Sequence, residues 1–377
     1  MRILHLVTYM DASRSYGGPL SVALALAEEQ AKQNQEVTIV GLSNNEYQET
    51  TFGGSSLKVK LFNVKRFTPG KKFSKLFSLK GAIWIWRNQD NFDVIHMHFS
   101  RDVFQTLVGL GLRAKKNKLA LQPHGMLTNL VAKEKLLQFA YDWLLTNRVI
   151  RKAALVLALQ ETEKAALIQN FNPKTIQTLP NGVAFTGIAK SLIRDPKLVV
   201  FVSRLHEQKN PLLFVQAALK MIETGSELHF VIAGPDGGQR DLVQKAIDQA
   251  DTQQLRYIGA LQNHEVRELL GQACLLVLPS IDDQFPMVVL EALSSGLQVA
   301  VSKSCGLAGV IQANDLGVVF NSSLVELTKS IGSATTSPRN PEVIISQARQ
   351  LFDISLIVEK LDLIYRNSPS ASDGPKK

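Results

Sequence analysis

Short apolar runs and helically spaced apolar positions alternate along this chain, and the alternation occurs twice. Residues 2–8, 37–42, 57–64, 94–97, 119–122, 155–158 and 175–179 read as strands, while 20–33, 73–86 and 162–170 read as helices. Residues 129–153 form a long helical stretch with Trp143, Leu144, Val149 and Ile150 at apolar positions. Pro180–Asn181–Gly182–Val183 is a strong turn signal, and 184–196 has the low periodicity of a linker. The pattern then restarts with strands at 198–202, 228–233, 255–259, 275–278 and 299–301. Helices open between them at Pro211 and Gln239, at Asn263 as a cap, and at Pro286; others follow at 323–332, 341–352 and 355–366. The tail, 368–377, is polar and expected to be disordered. Two such alternations joined by a linker imply an α/β protein of two parallel-sheet domains facing a cleft.

One stretch, LLVLPSIDDQFPMVVLEALSSGLQVAVS from Leu275 to Ser302, carries most of the chemistry. An apolar strand meets Pro279, a polar turn follows, and Pro286 suits the first turn of a helix that buries Val288, Leu290 and Leu293. Gly296 ends that helix, since it accepts the left-handed conformation of a C-terminal cap. The helix start presents free N–H groups that attract anions, and the candidate donor-binding residues there are Phe285, Pro286, Met287 and Val288, of which Pro286 has no N–H to give. Asp283 and Glu291 flank it. Carboxylates sit awkwardly beside an anion but accept hydrogen bonds from hydroxyls, so phosphate and hydroxyls side by side suggest a nucleotide sugar. An ordinary α/β unit with two solvated acids is the competing reading of this stretch.

Composition narrows the classes. The 377 residues fit two domains, and 45% hydrophobic residues suffice for two cores. Forty-two basic against 33 acidic residues give +9, which favours anionic partners such as phosphorylated donors or a phospholipid surface. Nothing resembles a zinc spacing, an RNA-binding aromatic motif or a recognition helix, so nucleic acid is not expected as a partner. The two cysteines are Cys274 in an apolar strand and Cys305 in a loop; without a Cys–x–x–Cys pair they point to a reducing, cytoplasmic compartment. The first ten residues read as a strand, not a signal peptide, and no apolar run reaches membrane-spanning length. Seven basic residues and no acidic one lie between Lys58 and Lys75, next to an aromatic-rich segment with Phe73, Trp84 and Trp86. That juxtaposition leaves open a peripheral contact with an anionic membrane, although a solvated basic loop before a core helix is favoured.

Other candidates lie at strand ends. Gly17 and Gly18 precede a helix and let the backbone approach a ligand, without forming a GxGxxG fingerprint. His96 and His98 have strand spacing but no third ligand in view, so no metal site is expected and the pair is placed at a strand end beside the cleft. His124 follows the strand 119–122, where open α/β sheets bind ligands. Arg204 and Lys209 share a strand-to-helix loop, and both can converge on a diphosphate.

Asp283 and Glu291 have seven residues between them, and this spacing within FPMVVLEALSSGLQV resembles the acid–seven–acid motif of the retaining family-4 glycosyltransferases, also called glycosyl transferases group 1. The family usually has Glu at the first acid, where this chain has Asp283. Arg204 to Asn210 resembles the family's phosphate clamp, Gly17–Gly18 its Gly–Gly loop facing the donor phosphates, and His124–Gly125–Met126 a subgroup whose histidine faces the donor sugar. The phrase PNGV commonly ends its first domain.

The resemblance implies the GT-B fold: two Rossmann-like parallel-sheet domains, here 1–185 and 196–352. A last helix, 353–367, would cross back to the first. It also implies retaining transfer from a UDP- or GDP-linked sugar to a hydroxyl of a saccharide or lipid-linked acceptor, in bacterial surface polysaccharide or glycolipid assembly. Beyond the donor it implies no cofactor. Arg204, Lys209, the Gly17–Gly18 amides and the N–H groups near Phe285 to Val288 would stabilise the leaving diphosphate. Glu291 would hold the ribose, Asp283 the sugar hydroxyls, and His124 the sugar's reacting side. A nucleotide-sugar hydrolase or epimerase of the same architecture, or an inactive binding subunit, stays open beside it.

Overall fold

The computed structural model describes residues 1–10, 17–44, 47–51, 57–64, 76–113, 118–127, 141–185 and 194–368. Lys65, Arg66, Lys71, Lys72, Phe73 and Lys75 lie outside them, as do 128–140, most of the linker (186–193) and the tail from Pro369. The chain divides into two compact units: Met1–Gly182 with Ile354–Lys377, and Val183–Asp353.

The first unit runs Arg2–Tyr9 (β1), Gly17–Lys32 (α1), Glu36–Ser43 (β2), Tyr47–Thr51 (β3), Leu57–Asn63 (β4), Leu79–Asn88 (α2) and Val94–His98 (β5). It continues with Val103–Gly111 (α3), Lys118–Gln122 (β6), Asn147–Lys152 (α4), Leu155–Ala158 (β7), Glu161–Phe171 (α5) and Ile176–Thr178 (β8). The sheet order is β3-β4-β2-β1-β5-β6-β7-β8. All described pairings are parallel except β3 with β4, an edge hairpin. The order reverses between β1 and β5, so the loops leaving those strands part in opposite directions and open a crevice at their carboxyl ends.

The second unit runs Leu198–Val202 (β9), Pro211–Glu223 (α6), His229–Ala233 (β10), Arg240–Ala250 (α7), Leu255–Tyr257 (β11), Asn263–Gln272 (α8) and Leu275–Leu278 (β12). Met287–Ser294 (α9), Val299–Ser302 (β13), Ala308–Ala313 (α10), Gly317–Phe320 (β14), Leu324–Thr336 (α11) and Pro341–Phe352 (α12) complete it. Its six strands are all parallel in the order β11-β10-β9-β12-β13-β14, with the reversal between β9 and β12. β12 and β13 are buried throughout, as near-continuous Leu and Val runs in a doubly covered parallel sheet must be. The last helix, Ile354–Asn367 (α13), belongs to the first unit: Val358, Leu361 and Tyr365 are buried there, and Lys118 Nζ donates to the Tyr365 carbonyl at 2.6 Å.

Several local expectations shift. Gly17 and Gly18 lie in the first described turn of α1, not in a loop. Pro286 is the cap residue before α9, and the helix buries Val289, Leu290, Ala292 and Leu293 while Val288 is only half-buried. Gln262, not Asn263, precedes α8, and its N–H is held by the Glu265 carboxylate at 2.6 Å. Cys274 stands one residue before β12. Val149 and Ile150 are buried, but Trp143 and Leu144 are exposed because a π-helical turn, Asp142–Thr146, rotates them off the apolar face. Gly296 adopts φ +73°, and a Cβ there would lie 2.9 Å from the Pro341 carbonyl oxygen. α2 buries Gly81, Ala82 and Ile85, with Lys60 over the Trp84 ring.

Candidate functional site

In the second unit the candidate residues converge at the β9/β12 reversal. After β9 the chain is pinned to the loop after β10: Leu205 N–H donates to the Pro235 carbonyl at 2.9 Å and Ser203 N–H to that of Ala233 at 3.0 Å. The approach is so close that a Cβ on Gly234, at φ +146°, would fall 1.9 Å from the Ser203 carbonyl oxygen. Gly237 likewise leaves room for the Arg204 stem, which would sit 2.9 Å from a Cβ there. The guanidinium of Arg204 is exposed and hydrogen-bonds no group among the described residues.

The next turn, Glu207–Lys209, is tied across to the loop after β12. Ile281 N–H donates to the Gln208 carbonyl at 2.7 Å, and the Gln208 side-chain amide to that of Asp282 at 3.3 Å. These ties bring Lys209 Nζ onto the Asp283 carboxylate as an ion pair. The Asp283 carbonyl in turn accepts from Gly306 N–H at 2.9 Å.

α9 begins beside this pair. No side chain caps it and its first turn holds no acid, so the amides of Met287 and Val288 carry the positive end of the helix dipole. Phe285 is half-buried, edge-on to Phe352 at 6.2 Å. Glu291 lies one turn in, half-buried, and its carboxylate hydrogen-bonds nothing among the described residues. Burial pushes it above its ordinary value, partly opposed by Arg267. A cation pair, open amides and an unsatisfied carboxylate within one pair of loops suit a ligand with both phosphate and hydroxyl groups.

In the first unit, Gly17 and Gly18 follow β1 at the β1/β5 reversal, and a Cβ on Gly18 would meet nothing within 4 Å. His124 follows β6 and is held at φ +53°, a left-handed conformation that is strained for histidine. Glu163, buried on α5, fixes that turn. One carboxylate oxygen accepts from Gly125 N–H and the other from Leu159 N–H, each at 2.6 Å. Burial pushes Glu163 above the usual carboxylate value.

His96 and His98 are not beside an opening but fully buried, and a third imidazole accompanies them. His5, His96 and His98 each place a nitrogen within 4.8 Å of the others. His5 was invisible as a partner because only the parallel register, His5 opposite His96, puts β1 and β5 residues on one face. Hydrogen bonds join His5 Nδ1 to His98 Nε2 at 3.0 Å and His98 Nδ1 to His124 Nε2 at 2.8 Å. The Tyr365 hydroxyl bonds His96 Nδ1 at 2.6 Å. Glu163, Gly234 and His5 are features that spacing alone did not single out.

Two Rossmann-like parallel sheets with these switch-point loops are the architecture of the GT-B fold. Among solved structures, Anabaena Alr3699/HepE in complex with UDP and glucose gives a TM-score of 0.74 at 16% identity, covering 97% of this chain and 99% of that one. Residues 16–185 match Glycosyltransferase Family 4 and 186–351 match Glycosyl transferases group 1; the chain belongs to this family. The 2-deoxystreptamine N-acetyl-D-glucosaminyltransferase of Niallia circulans is 25% identical over 259 residues, 63% of this chain and 66% of that protein. The gpi3 subunit of the Schizosaccharomyces pombe phosphatidylinositol N-acetylglucosaminyltransferase is 24% identical over 263 residues, 68% of this chain and 56% of that protein. The chain thus spans about half to two thirds of the length of the curated relatives it matches. Among the described residues no helix is long and apolar enough to cross a membrane.

Proposed function

We propose that this protein transfers a sugar, with retention at the anomeric carbon, from a UDP- or GDP-linked donor to a hydroxyl of a saccharide or lipid-linked acceptor. The observation that carries the reading is the junction of the β9 and β12 loops. There Arg204 is free to meet an anion, Lys209 is within reach of Asp283, and Glu291 lacks a donor.

As the bond to the sugar breaks, negative charge grows on the departing diphosphate. Arg204 stabilises it by a planar fork, Lys209 as a point charge, and the Met287 and Val288 amides through the helix dipole. Lys209 must turn from Asp283 towards phosphate, which frees Asp283 for the sugar's hydroxyls. Glu291 accepts from the ribose. Gly17 and Gly18 amides serve the donor phosphates, and His124 the sugar's reacting end. The Anabaena structure with UDP and glucose supports the donor class, and the phosphatidylinositol N-acetylglucosaminyltransferase relative supports a lipid-linked acceptor.

A panel of UDP-, GDP- and ADP-sugars screened by thermal stabilisation identifies the donor. Turnover of the labelled donor with and without acceptor then separates transfer from hydrolysis, and proton NMR of the product reads its anomeric configuration. Binding without turnover for every acceptor class, or an inverted product, would overturn the reading.

A further inference from the structure

The imidazoles of the first unit form a directed chain. His5 and His96 are register partners on β1 and β5, His98 and Gln122 on β5 and β6, and all four side chains are buried. His96 stacks on His98 with centroids 4.4 Å apart and planes 13° apart, whereas His98 and His124 lie nearly coplanar, 9° apart with centroids at 5.1 Å, as an in-plane nitrogen-to-nitrogen bond requires. The far end of the chain is set by Gln30 of α1, whose side-chain oxygen lies 2.8 Å from His5 Nε2. An amide oxygen can only accept, so His5 Nε2 carries the hydrogen and His5 Nδ1 is a lone pair. His98 Nε2–H must then donate to His5, and His98 Nδ1 must accept from His124 Nε2–H. His124 Nδ1 is left as a lone pair with no partner among the described residues.

No carboxylate hydrogen-bonds any of these rings among the described residues, so no opposite charge offsets the burial of an imidazolium. Burial holds His5 down to about 4 and His124 to about 3. The chain is therefore neutral, and its polarity is fixed by one amide.

We infer that His5 and His98 are positioning residues that lock His124 as an Nε2–H tautomer, presenting its Nδ1 as a hydrogen-bond acceptor to a hydroxyl of the donor sugar. The assignment of His124 to the sugar rests on the proposed function; the tautomer lock does not. A hydroxyl that meets a fixed lone pair is oriented without a reorganisation cost, which acts on turnover more than on nucleotide binding.

Imidazole nitrogen-15 NMR of the full chain, labelled at histidine, reads the tautomers directly. The unmodified protein should show His5, His98 and His124 all protonated at Nε2. His98→Phe keeps a stacked ring but breaks the chain. His124 should then populate both tautomers, and kcat should fall about tenfold with the donor Kd changed less than about twofold. His96→Phe, which perturbs the same packing outside the chain, should leave the His124 tautomer unchanged. Should His98→Phe not fold, Gln30→Leu removes the anchoring acceptor and should mix the tautomers from the other end. An Nδ1–H signal for His124 in the unmodified protein, an equal response to His96→Phe, or a stoichiometric metal ion on His5, His96 and His98 would each overturn the inference. If instead the tautomers are as stated but His124→Ala leaves transfer intact, the lock stands and the assignment of His124 to the sugar falls.

Discussion

Lys209 and Asp283, 74 residues apart in sequence, meet as an ion pair whose side chains retain only 18% and 12% of their exposure. The pair is a consequence of sheet order. β9 and β12 are neighbours at the reversal, so the loops that follow them lie side by side although a large part of the unit separates them along the chain.

If Lys209 leaves Asp283 to meet the departing diphosphate, Lys209→Ala should lower kcat about a hundredfold. The cost in stability should be about 3 kcal/mol, because the substitution leaves the buried Asp283 carboxylate without its counter-charge. Steady-state transfer and denaturant unfolding on one preparation check both halves. Near-normal transfer would remove Lys209 from the phosphate site.

Glu291 has no donor of its own, and burial raises it above the ordinary carboxylate value. Protonation would convert the acceptor the ribose needs into a donor. Nucleotide affinity should therefore be full above the raised value and fall as pH drops through it, at a higher pH than an exposed carboxylate would dictate. Glu291→Gln should weaken nucleotide binding about tenfold and flatten that acid limb. Isothermal titration of the nucleoside diphosphate from pH 7 downward tests both.

Gly234 allows two backbones to touch beneath Arg204. Gly234→Ala should cost about 3 kcal/mol, since the methyl would overlap the Ser203 carbonyl oxygen and φ +146° disfavours any side chain. Chemical unfolding reports the loss, and donor binding should fall with it because the Arg204 loop must shift. An unchanged midpoint would show that this approach is not needed.

The buried histidines give the fold an acid limit. Burial pushes His5, His96, His98 and His124 below the ordinary imidazole value. The unfolded chain takes up protons from about pH 6.5 downward, whereas folded His5 resists until about 4. The unfolded state binds more protons throughout that window, so stability is complete above it and declines as pH falls. For His5 alone the shift corresponds to about 3 kcal/mol. Asp102 and Glu163, raised by burial, act with opposite sign and offset part of the loss. Denaturant midpoints at pH 7 and pH 5 should differ, with the lower at pH 5; equal midpoints would contradict the burial of neutral imidazoles.

The sequence made the second unit legible because its strands are unbroken apolar runs and its loops carry Gly and Pro at the turns. Leu275–Leu278 is read to the residue, and the helix after it to within one. Four elements escaped. α3, VFQTLVGLG, carries two glycines, which weaken its helical signal. β3, YQETT, is a polar edge strand whose pairing with β4, not its own pattern, makes it a strand. β14 and α10 are short, and periodicity over four to six residues cannot separate strand, helix and turn. For the site, residue types at loop positions were visible, but which of them touch was not. The Lys209–Asp283 pair and the run from Gln30 to His124 both depend on strand order and register, which link residues tens of positions apart. Glu163 is by position a first-turn acid of α5, and its two bonds from the Gly125 and Leu159 amides depend on tertiary packing that spacing does not reveal.

The second unit starts and stops at one spot: Val183 bridges Asp353, and its N–H donates to the Phe352 carbonyl at 2.9 Å. A segment whose two ends are already fastened together needs no outside scaffold to hold them. Residues 183–353, produced alone, should melt cooperatively and still take up a nucleoside diphosphate. The same closure gives the segment the layout of a cassette, its entry and exit already side by side.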